Sequence, residues 1–135
     1  MIPLLENKTI LVVDDNEDIR YLLKAILEQA GAVVSTAKSV HEAIDVFRNS
    51  PPHAVVVDIR LGTSDGYALI EEIRKINAEY RGSTPAIAVT GYASPEDEER
   101  AMSAGFTAYF SKPFEPDDIV RTISTVLAGP LNHAA

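Results

Sequence analysis

Lys8-Thr9-Ile10-Leu11-Val12-Val13-Asp14-Asp15 is the stretch on which the fold turns. An apolar, β-branched run stops abruptly at two carboxylates, the form of a buried strand that ends at a polar rim. The pattern recurs along the chain. His53-Ala54-Val55-Val56-Val57 stops at Asp58, and Pro85-Ala86-Ile87-Ala88-Val89 stops at Thr90. Thr107 to Phe110 forms a shorter run followed at once by Ser111-Lys112-Pro113, and Ala32 to Thr36 supplies one more strand.

Helical patterns fill the intervals. Ile19, Leu22, Leu23, Ile26 and Leu27 recur at helical spacing and are expected on one inner face, with Asn16 as N-cap and Gly31 as stop. Ser39-Val40-His41-Glu42 has the form of a capping box and starts a second helix through about Arg48, before Pro51-Pro52 breaks the chain. After a loop of Gly, Thr and Ser, a third helix is predicted from about Gly66 to Ala78, with Leu69, Ile70, Ile73 and Ile76 inside. Ser94 caps a fourth helix with Pro95 in its first position, and Glu96 to Glu99 suit the positive end of its dipole. The last begins near Pro116 and carries Ile119, Ile123, Val126 and Leu127.

Strands alternating with helices five times imply an α/β fold: a single parallel sheet of five strands covered by five helices. Right-handed crossovers make it an open, doubly wound sheet. The 135 residues fit one domain, and 46% hydrophobic residues can fill a core. Absence of cysteine excludes disulfides and thiolate zinc sites. No apolar run reaches the ~20 residues of a membrane span, and the acidic start Met1 to Glu6 does not resemble a signal peptide. The net charge of −8 argues against a nucleic-acid surface. Gly129 to Ala135 reads as a flexible tail or the start of a linker.

Ligands of open α/β sheets bind beyond the carboxyl ends of the strands. That rim would gather Asp14, Asp15, Asp58, Thr90 and Lys112 from four separate strand ends. Three clustered carboxylates call for a compensating charge, and a hard divalent cation such as Mg²⁺ supplies it. A hydroxyl and an ammonium complete a set suited to phosphoryl transfer, where catalysis is mostly positioning and charge neutralisation. Asp58 ends the third, central strand and is the expected acceptor, since aspartate can carry a phosphoryl group covalently.

From Lys8 to Leu127 the chain resembles the receiver domain of bacterial response regulators, the phosphoacceptor modules of two-component systems. The resemblance rests on Val12-Val13-Asp14-Asp15-Asn16, Val57-Asp58-Ile59-Arg60 with Asp65-Gly66, Val89-Thr90-Gly91, and Tyr109-Phe110-Ser111-Lys112-Pro113-Phe114. Each piece alone is weak; in this order, at strand ends, they are specific. The resemblance implies a flavodoxin-like (βα)5 sheet of order 2-1-3-4-5, with the receiver domain over residues 8–128 and the tail over 129–135. It implies a phosphoryl group passed to Asp58 from a histidine kinase or a histidine phosphotransfer protein, in the cytoplasm. Mg²⁺, with Mn²⁺ as a substitute, would be held by Asp15, Asp58 and the Arg60 backbone carbonyl, and by Asp14 through water. Lys112 would hold a phosphoryl oxygen and pair with Asp58 beforehand, Thr90 would move to the phosphoryl group, and Tyr109 would turn inward with it. The surface of the fourth helix, fifth strand and fifth helix would change, and homodimers could form through it. The Lys112–Pro113 peptide would be cis. Such a module catalyses only its own phosphorylation and dephosphorylation, and contacts neither nucleic acid nor membrane.

Leu61-Gly62 departs from the family's usual Met-Pro and predicts a looser loop. Arg60 and Tyr92 occupy the two positions that tune phosphate lifetime in the family. Tyr109 also admits a plain packing role in an edge strand. Ala101, Met102 and Ala104 give the fourth helix a thin apolar face, which fits either a two-state element or small packing partners. A Mg²⁺-dependent phosphohydrolase is the rival function. It would want a second aspartate two residues after Asp58, where Arg60 stands. A pure interaction domain is disfavoured by the intact acidic set. The closeness of Met1 to the first strand favours a stand-alone receiver over a segment of a hybrid histidine kinase.

Overall fold

The structure, a computed structural model, describes residues 3–61, 64–80, 82–91 and 94–128. Five parallel strands form its sheet: β1 (Thr9–Val13), β2 (Val33–Ala37), β3 (Ala54–Asp58), β4 (Ala86–Thr90) and β5 (Ala108–Ser111). Their order is β2-β1-β3-β4-β5, the one the resemblance implies. Five helices connect or follow them: α1 (Glu17–Gln29), α2 (Val40–Asn49), α3 (Gly66–Tyr80), α4 (Pro95–Ala104) and α5 (Pro116–Ala128).

Side chains alternate across a strand, and this splits the core in two. Leu11, Val13, Val55, Val57, Ala86 and Ala88 point to one face, against Phe47 of α2, Ile70 and Ile73 of α3 and Ala101 of α4. Ile10, Val12, Val56, Ile87 and Val89 point to the other, against Leu23 and Leu27 of α1 and Ile119 and Ile123 of α5. Every residue of β3 and β4 is buried, which is why those strands read as unbroken apolar runs.

The caps follow the sequence closely. Asn16 Oδ1 accepts from the Ile19 N–H at 3.0 Å, Ser39 Oγ from Glu42 N–H at 3.2 Å, and Ser94 Oγ from Asp97 N–H at 3.1 Å. The capping box is displaced by one residue, because Glu42 Oε1 takes the N–H of Lys38 at 3.2 Å. Gly31 ends α1 with φ 101°, against the Pro3 and Glu6 turn.

Several expectations need correction. Leu22 is 49% exposed and not on the inner face of α1. At about 100° per residue, the buried arc of α1 centres near Leu23 and Leu27, and Leu22 falls beyond its edge. Met102 is likewise 45% exposed, leaving Ala101 as the one fully buried residue of α4. The Gly-Thr-Ser loop carries a two-residue antiparallel ladder, Arg60–Leu61 against Ser64–Asp65; segments this short leave no periodic signal. Leu5, unread in the sequence, is fully buried among Ile10, Leu27 and Ala32, and its N–H donates to Ala30 O at 2.9 Å. Gly62 and residues 129–135 lie outside the described residues.

Polar contacts fasten α3 to its neighbours. Arg74 donates to the carbonyls of Thr84 (2.7 Å) and Gly105 (2.6 Å) and to Asn77 Oδ1 (2.9 Å). Burial pushes its guanidinium below the usual range. Arg100 of α4 sits 4.1 Å over the ring of Tyr67, which meets Phe106 edge-on at 6.2 Å.

Gly66 sets how closely α3 approaches the end of β3. A Cβ there would lie 2.9 Å from Ile59 Cα and 3.0 Å from Asp58 O. Gly66→Ala is therefore expected to lose about 1–3 kcal/mol through overpacking, measured by urea denaturation. An unchanged midpoint would mean that the β3–α3 approach is not tight.

Candidate functional site

The register of the sheet assembles the rim. Val13 pairs with Val57 in the β1–β3 ladder, so Asp14 and Asp58, one residue further on, leave adjacent strands on the same face. Thr90 follows Val89, the partner of Asp58, and pairs with Ser111, directly before Lys112. The Lys112 N–H donates to Thr90 O at 2.7 Å, fixing where the lysine leaves β5. The Lys112–Pro113 peptide is cis.

Lys112 Nζ lies 3.3 Å from Asp14 Oδ2 and 3.5 Å from Asp58 Oδ2. One ammonium thus bridges two carboxylates, where pairing with Asp58 alone had been expected. Asp14 is fully buried, and its Oδ1 also accepts the Asn16 N–H at 2.9 Å. Asp58 is buried and Asp15 exposed. The three carboxylates each offer an oxygen within 4.8 Å of the others. Among the described residues the cluster sets one ammonium against three carboxylates, a formal charge of minus two that a divalent cation would cancel. All-oxygen donors, with one carboxylate open to solvent, suit Mg²⁺, which binds through few carboxylates and keeps waters.

The backbone after Asp58 offers one more oxygen. Gly66 N–H donates to Ile59 O, and the antiparallel ladder pairs Arg60 with Asp65. Hydrogen-bonded and non-hydrogen-bonded pairs alternate in such a ladder. Arg60 and Asp65 form a non-bonded pair, so the Arg60 carbonyl faces away from the ladder.

Thr90 is buried, on the opposite face of the sheet from Asp58 by strand alternation. Tyr109 pairs with Ala88 and is half-buried on that same face. With Ser94, Glu98, Phe114 and Asp118 it lines a groove of about 560 Å³ between α4, β5 and α5. Burial raises its phenol pKa above the usual value, and the charges of Asp97, Tyr67 and Glu98 add to the shift. The histidines do not converge: His53 Nδ1 accepts the Thr9 N–H at 2.9 Å, and exposed His41 pairs with Asp45 at 3.6 Å. Tyr92, His133 and the side chain of Arg60 lie outside the described residues.

One contact at the rim escaped the sequence reading. Arg20 Nη1 donates to the backbone carbonyl of Asp14 at 2.8 Å. Its position four residues after the N-cap was the signal available: a first-turn arginine on α1 can reach back over the turn it follows.

A family model for the response regulator receiver domain matches residues 10–124. An uncharacterized 14.6 kDa protein in the sodA1 3′ region of Leptolyngbya boryana is 39% identical, over 84% of this chain and 86% of its own length. The chemotaxis protein CheY of Halobacterium salinarum is 32% identical over 89% of this chain and 97% of its own. The chain spans about half the length of other curated relatives that it matches, described as probable transcriptional regulators. Among solved structures, a CheY-like receiver domain protein from Methanospirillum hungatei superposes with a TM-score of 0.81 at 33% identity, covering 91% of this chain and 95% of the other.

Replacing Lys112 by Met leaves Asp14 buried without the ammonium, and the expected loss is about 2–4 kcal/mol at neutral pH in Mg²⁺-free buffer. Added Mg²⁺ recovers part of it by binding the folded state alone. Equal urea midpoints for the two proteins would contradict this charge balance.

Tyr109 gives a pH dependence. Its folded pKa is raised, so its stabilisation is intact below the unfolded value of about 10 and is lost as pH rises through the folded value. Above pH ~10 the wild type should therefore lose stability more steeply than Tyr109→Phe. Parallel curves of urea midpoint against pH would refute this.

Proposed function

We propose that this chain, which belongs to the response regulator receiver domain family, accepts a phosphoryl group on Asp58 from the phosphohistidine of a histidine kinase or phosphotransfer protein. As a receiver domain it is a signalling module of two-component systems and not an enzyme in the usual sense. The observation that carries the reading is the single ammonium of Lys112 held at 3.3 and 3.5 Å between Asp14 and Asp58, with Asp15 beside them.

In the proposed step an Asp58 carboxylate oxygen attacks phosphorus. The new O–P bond forms as the P–N bond to the donor imidazole breaks, and the electron pair leaves with the imidazole. Lys112 turns its ammonium from the Asp58 carboxylate to a phosphoryl oxygen, so its charge is retained where negative charge gathers. Asp15, Asp58 and the Arg60 carbonyl would hold Mg²⁺, with Asp14 behind them through a water. The cation supplies charge neutralisation for the transferring group. Asp14, buried and bonded to the Asn16 N–H and Lys112, keeps the rim oriented.

Thr90 then donates its hydroxyl to the phosphoryl group. Thr90 and Tyr109 share a face of the sheet, so movement of the first opens space for the second. The groove lined by Tyr109 changes shape, and the surface of α4, β5 and α5 becomes the readout and the seat of a homodimer. Among the described residues no helix is long and apolar enough to cross a membrane; the place of action proposed with this reading is the cytoplasm.

The test is phosphorylation by a small-molecule phosphodonor with Mg²⁺, followed by intact mass. The expected result is one added phosphoryl group on the wild type and none on Asp58→Asn. An adduct that survives in the variant would move the acceptor elsewhere, and no adduct on the wild type would overturn the reading.

A further inference from the structure

We propose that Arg20 is a positioning residue for the divalent cation, acting through the peptide that joins Asp14 to Asp15. This rests on the metal-dependent reading above. The Val13 pairs close the β1 ladders with both neighbours, so the Asp14 carbonyl is the first on β1 beyond the sheet. Arg20 Nη1 takes it at 2.8 Å, from a half-buried side chain on the first turn of α1.

That one bond fixes a particular peptide plane. Asp14 is already held at its N–H by Ala37 O, at Oδ1 by Asn16 N–H and at Oδ2 by Lys112. With its carbonyl held by Arg20, the peptide cannot rotate, and the direction in which Asp15 leaves the chain is set. Asp15 is the exposed carboxylate of the three, so the plane of the peptide before it bears directly on where its side chain projects. Without Arg20 the turn keeps its N-cap but loses the grip on this plane.

Two physical effects of Arg20 oppose each other. Its charge repels a cation at the rim, which weakens binding. Its hydrogen bond preorganises a ligand, which strengthens it. Partners that orient metal ligands are commonly worth 10- to 100-fold in affinity, whereas a solvent-screened charge that is not a ligand acts more weakly. Among the described residues Arg20 makes no salt bridge, so its contact at the rim is with a neutral carbonyl.

The experiment measures Mg²⁺ binding by isothermal titration calorimetry, with no phosphodonor present, for wild type, Arg20→Met, Arg20→Lys and Asp58→Asn. Asp15 amide hydrogen exchange is measured on the same metal-free proteins. The expected result is a roughly tenfold weaker Mg²⁺ affinity and faster Asp15 exchange in Arg20→Met, with Arg20→Lys in between. Unchanged or tighter binding in Arg20→Met would overturn the proposal and leave charge as the whole effect of Arg20. If Arg20→Met fails to fold, Arg20→Lys decides alone: the guanidinium geometry is lost while the charge remains, so wild-type affinity would overturn the proposal. Wild-type protein that binds no Mg²⁺ would overturn the underlying metal reading as well. Wild-type binding that Asp58→Asn abolishes, together with an unaffected Arg20→Met, would overturn this proposal alone.

Discussion

The rim of this molecule exists because one ammonium compensates two carboxylates that the sheet forces together. Two unit charges at the 4.8 Å limit of the acidic cluster repel by about 3–4 kcal/mol at an effective dielectric of ~20. Lys112, at 3.3 and 3.5 Å from Asp14 and Asp58, attracts each by about 5 kcal/mol on the same basis. That balance lets the Asp14 carboxylate be fully buried, and lets β1 and β3 keep their register to the last residue. Asp15 is the exposed carboxylate of the three, which is where the site faces solvent.

Strand alternation then divides labour between the two faces of the sheet. Asp14 and Asp58 belong to the side covered by α1 and α5, Thr90 and Tyr109 to the side covered by α4. Lys112 stands beyond the edge strand and is tied through its N–H to Thr90 O and through its ammonium to the two aspartates. It is the residue through which charge on one face meets backbone of the other. The link from Asp58 to Thr90 through Lys112 thus runs along the rim and not through the packed interior.

What was legible in the sequence followed from repetition. Asp14, Asp58 and Thr90 each stand where an apolar run stops and Lys112 one residue past another, and the parallel register brings those ends to one rim. The same logic placed the caps at Asn16, Ser39 and Ser94, since cap chemistry is local. Contacts made by one residue across the fold left no such trace. Leu5 lies in a turn with no periodicity, Arg74 reaches two carbonyls outside its own helix, and Arg20 acts on a carbonyl. Leu22 was misplaced because apolar spacing defines a stripe without saying where its centre lies. The 60–65 ladder was too short for any pattern to reveal.

The fastening of α4 has a mechanical meaning. Its first six residues include none that is fully buried, whereas Ala101 is buried, Arg100 rests on Tyr67, and the Gly105 carbonyl just past its end is gripped by Arg74. Among the described residues, the helix is a beam held near its C-terminal end. Ten residues at 1.5 Å rise give it an arm of about 15 Å, so a swing of about 10° about the clamp carries the Ser94–Pro95 end some 2–3 Å. Such a beam amplifies: a small displacement near Gly105 would appear several times larger at the wall of the Tyr109 groove, and stiffness at Arg74 governs the gain.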